Sequence, residues 1–344
     1  MHVSLTDAEL EKAFKGLIII LLIPALFINL GLMPYNLDEA TRALVAKEMM
    51  LSGNYLVPSI NGEFYYNKPP LFNWILILFF NVTGSHSEIV TRIPVVLSLA
   101  GFAFTVFFTL RNEIGKKAAF LTALALITCG RIMFYDSFKG LIDIPYSWLT
   151  YTAFWSVYYF NKKGKILSLF MVSWLLTSVG FLMKGMPSIV FQGITLLVFF
   201  IGRKQFKLLF SWKSFAGGAL FLLITGLYFF MYSHYNSLQN YWDALWSESA
   251  GRTAVYHPFK ESILHIFSFP AEFIMHFLPW TIWVIFLFGK GRLRNLLSVS
   301  PIHFMIFTFL ANILVYWISP VIYPRYLFMS LPLFFGTCAY AYFN

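Results

Sequence analysis

The chain has 344 residues, 59% of them apolar and only 12% charged, far below the roughly 25% charged fraction of ordinary soluble domains. That excludes a soluble globular protein, and the continuous, non-alternating apolar runs exclude a transmembrane β-barrel. The net charge of +10 does not signal nucleic acid, because many of the basic residues sit in short acid-free loops between apolar runs: "NKKGK" (161–165), "GRKQFK" (202–207) and "GKGRLR" (289–294). This is the pattern of cytoplasmic loops.

Eleven apolar segments follow one another, at roughly 15–34, 70–83, 89–110, 118–135, 141–160, 166–183, 186–201, 209–233, 269–288, 301–319 and 326–343. About 20 apolar residues cross a bilayer as a helix. The expected fold class is therefore all-α, a polytopic transmembrane helical bundle of about 10–11 segments forming one integral-membrane domain over 1–344. Lys12 and Lys15 precede the first run and no small-residue cleavage signal follows it, which predicts a retained anchor. No soluble C-terminal domain is expected, because Asn344 follows directly on an apolar run. Cys129 and Cys338 both lie in apolar runs and suggest no disulfide.

Two polar interruptions, 35–69 and 234–268, hold most of the chemically interesting residues. In the first, "YNLDEATRAL" (35–44) places Asp38 and Glu39 just beyond the first apolar run, with Arg42 one turn later. Ala40, Leu44, Val45, Met49 and Met50 recur at helical spacing until Gly53, which predicts a surface helix of about 14 residues. Asp38 near its start is either an N-cap with Arg42 as its i,i+4 partner or a reacting carboxylate. The next stretch, "NYLVPSINGEFYYNKPPLFNW" (54–74), contains an Asn61-Gly62 turn, paired Tyr65-Tyr66, Lys68 at the membrane edge and a Pro69-Pro70 helix start. If all eleven segments crossed from a cytoplasmic N-terminus, the basic loops would fall outside. The short segment 70–83, headed by two prolines, is the one expected not to cross. The loops 35–69 and 234–268, Asp143, Lys184 and 319–325 then share one outer face.

These residues resemble the GT-C glycosyltransferases, in the branch that contains the aminoarabinose transferases and the protein O-mannosyltransferases. "LDEATR", "AKEMMLSGNYLVPSINGEFYYNKPPLFNW", "KGLIDIPYSW" (139–148), "FLMKGMPSIV" (181–190), "WSESAGRTAV" (246–255), "FLPWTIW" (277–283) and "SPVIYPRYLFMSLP" (319–332) are similar, in order, to that branch's motifs. Asn67 departs from the branch: a Glu usually precedes the Lys-Pro.

The resemblance implies transfer of a sugar from a polyprenyl-phosphate carrier to an acceptor hydroxyl, with inversion, on the outer face of a bacterial inner membrane. Asp38 is the expected general base, and Glu39 and Asp143 are the further catalytic candidates. Arg42, Lys68, Arg252 and Arg325, with Tyr66 and Tyr326, are the candidates for binding the lipid phosphate and sugar. No cofactor is expected to be required. The spacing of His234, His257, His265 and His276 fits no standard zinc motif, and a divalent metal is not indicated. Lys184 reads as marking a bend between two membrane helices. Arg92 is open between a phosphate contact and a partner for Glu88. The partners implied are the lipid-linked donor and membrane lipid, with no nucleic acid and an unnamed acceptor. A transporter or flippase of lipid-linked sugars is the alternative. It would place its polar groups mid-membrane on broken, repeated helices, and the sequence shows no repeat.

Overall fold

The structure is a computed structural model that describes residues 7–251, 258–289 and 292–344. Within them the chain is helical almost throughout: α1 (Asp7–Phe27), α2 (Asp38–Ser52), α3 (Leu71–Thr83), α4 (Glu88–Leu110), α5 (Lys116–Thr128), α6 (Asp143–Lys162), α7 (Ile166–Lys184), α8 (Pro187–Gly202), α9 (Trp212–Ser233), α10 (Leu238–Ala250), α11 (Phe259–His276), α12 (Arg292–Ser298), α13 (Ser300–Trp317) and α14 (Leu331–Phe343). A wide helical turn runs over Ile132–Asp136, and short tight turns of helix run over Trp280–Leu287 and Pro324–Ser330. Among the described residues the only sheet is a hairpin, β1 (Ser59–Ile60) against β2 (Glu63–Phe64). Its turn holds Asn61 at φ 53° and Gly62 at φ 80°, the paired positive angles that an Asn-Gly hairpin turn requires.

Polar contacts sort the helix ends into two groups. At one end, Lys162 donates to Glu113 at 2.7 Å, Lys117 pairs with Glu11 at 3.1 Å, and Arg203 reaches Ser300 at 3.2 Å. Most of the basic loop residues lie at this end. At the other end Tyr35 meets Thr91 at 2.6 Å, Tyr228 bonds the Leu56 carbonyl at 3.0 Å, and His265 approaches the Tyr316 carbonyl at 3.1 Å. We call this second group the site end.

Helix α3 begins beside Tyr55, whose carbonyl accepts from the Trp74 indole at 2.6 Å. It stops at Gly84, whose φ of 66° closes the helix with an N–H bond to Phe80. The chain then reaches His86, whose carbonyl Tyr35 binds at 2.7 Å. Both ends of α3 are therefore bonded at the site end, and at 13 residues the helix is shorter than a membrane span. Five described helical segments are long and apolar enough to span a membrane, and six if the pair Lys260–His276 and Trp280–Leu287, bent by 115°, is one span. The other runs are shorter or carry more charge, and they lean on their neighbours: α6 packs on α7, α8 on α13, and α5 on α4 and α14. Lipid supplies no hydrophobic drive for helices to associate, so close approach matters. A Cβ at Gly217 would stand 2.9 Å from the Phe170 carbonyl, and one at Gly101 would stand 2.5 Å from the Trp148 ring.

Candidate active site

The site end is organised by a ladder of alternating charges. Asp38 opens α2, and its Oδ2 accepts from Nη2 of Arg325 at 2.6 Å. Arg325 sits in the tight turn before α14, between the rings of Tyr323 (4.3 Å) and Tyr326 (5.8 Å). Its Nε lies 3.2 Å from Oδ2 of Asp143, close in charge but misaligned for a hydrogen bond. Asp143 opens α6, and its Oδ1 accepts from Nζ of Lys184 at 2.6 Å. Lys184 ends α7 and lies over the rings of Tyr326 (4.1 Å) and Tyr146 (4.8 Å). Two acids and two bases thus form a neutral row. The row runs inward: the Asp38 side chain is 61% exposed, whereas those of Asp143 and Lys184 are each 6% exposed.

The turn before α2 decides where Asp38 points. The Glu39 N–H closes it on the Asn36 carbonyl at 3.1 Å. Leu37 occupies its second position at φ 43°, ψ −118°, the conformation of a type II′ turn where glycine is preferred. Asp38 is therefore not the cap of α2. The capping position is Leu37, without a side-chain cap bond, and Asp38 pairs with Arg325, not with Arg42. Among the described residues no donor reaches the other Asp38 oxygen.

Glu39 turns the opposite way. It is buried, and Arg92 grips it through Nε (2.6 Å) and Nη2 (2.9 Å) while the Gly140 N–H adds a third bond at 2.8 Å. Arg92 also donates to the Leu30 carbonyl at 2.6 Å. The chain after α1, α2, α4 and the loop before α6 are tied at this point. In contrast to the exposed Asp38 beside it, Glu39 is thus buried and held by three hydrogen bonds. Arg92 is its partner, and not a phosphate contact or a partner of Glu88.

Arg42 lies buried one turn along α2 and donates to the Tyr65 hydroxyl at 2.7 Å. Burial pushes the Tyr65 hydroxyl above its ordinary titration range. Of the paired tyrosines, Tyr65 thus faces Arg42. Tyr66 faces the start of α10, where it accepts from the Asn236 amide at 3.1 Å and meets the Tyr241 ring edge-on. Lys68 forms an ion pair with Glu248 of α10 and also bonds the Asn67 carbonyl at 2.9 Å. Arg252 lies outside the described residues. Among the described residues no three His, Cys, Asp or Glu side chains converge to hold a metal ion.

The structure thus gathers Asp38, Asp143, Arg325 and Tyr326 around Lys184, sets Lys68 and Tyr66 against α10, and puts Arg42 and Glu39 beneath them. In the sequence Lys184 reads only as a bend, Tyr65 only as the neighbour of Tyr66, and Glu248 carries no assigned role. A lysine ending an apolar helix at the same end as Asp143 was the available signal for Lys184. Glu48 of α2, likewise without an assigned role, binds the hairpin turn at Asn61 (2.5 Å) and Ser59 (3.2 Å).

Residues 67–229 match the family described as dolichyl-phosphate-mannose-protein mannosyltransferase. The chain is 26% identical over 202 residues, 56% of its length and 36% of the relative's, to the undecaprenyl phosphate-alpha-4-amino-4-deoxy-L-arabinose arabinosyl transferase of Shewanella sediminis. It is 28% identical over 186 residues, 52% of its length and 33% of the relative's, to the corresponding transferase 1 of Proteus mirabilis. The crystal structure of ArnT from Cupriavidus metallidurans bound to undecaprenyl phosphate superposes with a TM-score of 0.76 at 20% identity, over 96% of this chain and 60% of that one. The chain spans about a third of the length of these two curated relatives. In fold along nearly its whole length, and in sequence over about half of it, the chain resembles the GT-C glycosyltransferases of the aminoarabinose-transferase and protein-mannosyltransferase kind.

Proposed function

We propose that the chain is a membrane glycosyltransferase that moves a sugar from a polyprenyl-phosphate carrier to an acceptor hydroxyl, with the site end on the outer face of a bacterial inner membrane. The observation that carries this reading is the Asp38 carboxylate. One oxygen is held by Arg325 and the other is open, at the exposed end of a row anchored by Asp143 and Lys184.

The acceptor hydroxyl loses its proton to the open oxygen of Asp38 as its own oxygen bonds the anomeric carbon. The bond from that carbon to the carrier phosphate breaks on the opposite face, so the configuration inverts. The departing lipid phosphate gains negative charge, and Arg325 and Lys68 stand where cations can stabilise it. One such contact contributes on the order of 3 kcal/mol in a poorly hydrated site. Asp143 and Lys184 hold Arg325 in register. No metal is needed for these steps. The position of Asp38 suits both reactants: a water-borne hydroxyl reaches an exposed carboxylate, and a carrier lipid keeps its chain in hydrocarbon. A transporter would need charges along a central pathway, whereas the row lies at one end of the bundle.

The test is transfer from a radiolabelled polyprenyl-phosphate sugar in proteoliposomes, read as label moved and polyprenyl phosphate released. Release by the wild-type chain and its loss in Asp38→Asn support the reading; equal release by both sinks it. The orientation has its own test. A cysteine at position 61 should react with an impermeant maleimide from outside the cell, and one at position 204 only after lysis; the reverse pattern overturns the outer placement.

A further inference from the structure

The turn between α5 and α6 carries a charged surface that the transfer reaction does not use. The helix winds wide over Ile132–Asp136, a local feature that recurs at functional sites. It turns Phe134 and Tyr135 outward, with Phe134 73% exposed. Two cations share the Tyr135 ring: the Arg131 guanidinium at 4.1 Å from its centre and the Lys139 ammonium at 3.5 Å. Asp136 takes up part of the Arg131 charge through a 2.6 Å bond. Among the described residues no carboxylate pairs with Lys139. The surface is therefore cationic at its rim, and both positive centres lie within reach of one anionic group.

Beside this rim lies apolar surface. The Gly130 N–H bonds the Leu278 carbonyl at 2.8 Å, which pins the turn against the end of α11. There Ile274, Met275 and Leu278 are exposed while Phe273 and Phe277 face the core. His276, between them, lies within electrostatic range of Arg131, and Glu272 is the nearby acid. Cations and an amphipathic tyrosine above an exposed apolar band match a phospholipid, with its phosphate at the rim and its acyl chain on the band.

We propose that Arg131, Lys139 and Tyr135 form a binding site for the headgroup of an anionic membrane phospholipid, whose acyl chain lies over Phe134 and the exposed face of α11. Free phosphate offers the same charge but cannot use the apolar band, so the lipid is the occupant. The site adjoins the charged row, because Asp136 lies within electrostatic range of Asp143 and Arg325, but it contains neither Asp38 nor Lys68.

The test is native mass spectrometry of the full chain released from mixed micelles containing phosphatidylglycerol and phosphatidylcholine in equal amounts. The wild-type chain should retain phosphatidylglycerol several-fold more than phosphatidylcholine. Lys139→Gln should cut that preference at least threefold and leave phosphatidylcholine retention unchanged. Arg131→Gln strips the partner of buried Asp136 and can fail to fold, so Phe134→Ser serves as the second variant. It should lower retention of both lipids without changing the preference. Equal retention of both lipids by the wild type, or an unchanged preference in Lys139→Gln, overturns the site. Displacement of phosphatidylglycerol by equimolar inorganic phosphate overturns the lipid as occupant.

Discussion

Asp38 and Glu39 are neighbours in the chain and opposites in the fold. Glu39 is sealed in three hydrogen bonds with Arg92 and the Gly140 N–H. Asp38 keeps a single partner, at the surface. The same contrast divides the rest of the site end: Asp143 and Lys184 are buried together, whereas the Lys68–Glu248 pair stays at the rim. Buried pairs have paid their desolvation when the chain folds, so they fix geometry and resist exchange. The Lys68–Glu248 pair is partly exposed, its side chains at 14% and 25%, and so is more open to competition than the buried pair, which suits a cation that must capture a phosphate-bearing substrate.

The contrast is broken most severely at the buried pair. Glu39→Ala leaves Arg92 charged and without its carboxylate, which should cost about 3–5 kcal/mol. In detergent this reads as loss of the folded chain or a large fall in thermal midpoint. Glu39→Gln keeps the hydrogen-bond acceptor and should cost less. A Glu39→Ala chain with wild-type stability and no transfer would instead make Glu39 a reacting group.

Asp38→Asn tests the other neighbour. Asn keeps the shape and removes the proton acceptor, so turnover should fall by roughly 10²-fold or more. Stability should hold within about 1 kcal/mol, the range of an exposed ion pair. Donor binding should survive. Near-normal transfer would pass the base role to Asp143, which is already occupied by Lys184.

How much of this was legible beforehand follows from the range of each signal. Apolar runs, the Asn61-Gly62 hairpin turn and the helix stop at Gly53 are local, and the structure has them where the pattern places them. The expectation that 70–83 is too short to cross rests on its length and its two prolines, and α3 is a 13-residue helix bonded at the site end through Tyr55 and His86. What the sequence could not express is which of two adjacent acids turns inward, because Arg92 lies 53 residues from Glu39. Nor could it pair Lys68 with Glu248, 180 residues away. The N-cap reading of Asp38 failed because a backbone turn at Leu37, with no sequence signature, took over the entry to α2.

The rim pair gives a smaller effect of opposite signs. Lys68→Met removes a cation that the donor phosphate would use, and donor affinity should fall about tenfold, the effect of losing roughly 1.4 kcal/mol. Glu248→Gln removes a competitor for the same ammonium, and affinity should rise by a few-fold. Equilibrium binding of a fluorescent polyprenyl-phosphate analogue separates them. If both variants weaken binding, Glu248 is holding Lys68 in place for the donor and not competing with it.

The smallest expected effect lies at the turn that separates the two acids. Leu37 is 84% exposed, so its side chain contributes little burial. It holds φ 43°, which for a residue with a Cβ costs about 1–3 kcal/mol. Glycine adopts that angle freely but loses more backbone entropy on folding, by roughly 0.4–1 kcal/mol. Leu37→Gly should therefore stabilise the chain by about 1 kcal/mol, a rise of a few degrees in the thermal midpoint. Leu37→Ala keeps the strain and should change little. Transfer should stay within about threefold in both, because the Glu39–Arg92 anchor and the Asn36–Glu39 hydrogen bond still direct Asp38 outward. A Leu37→Gly chain that is more stable yet tenfold slower would show that the strained turn, and not the buried anchor, aims the carboxylate.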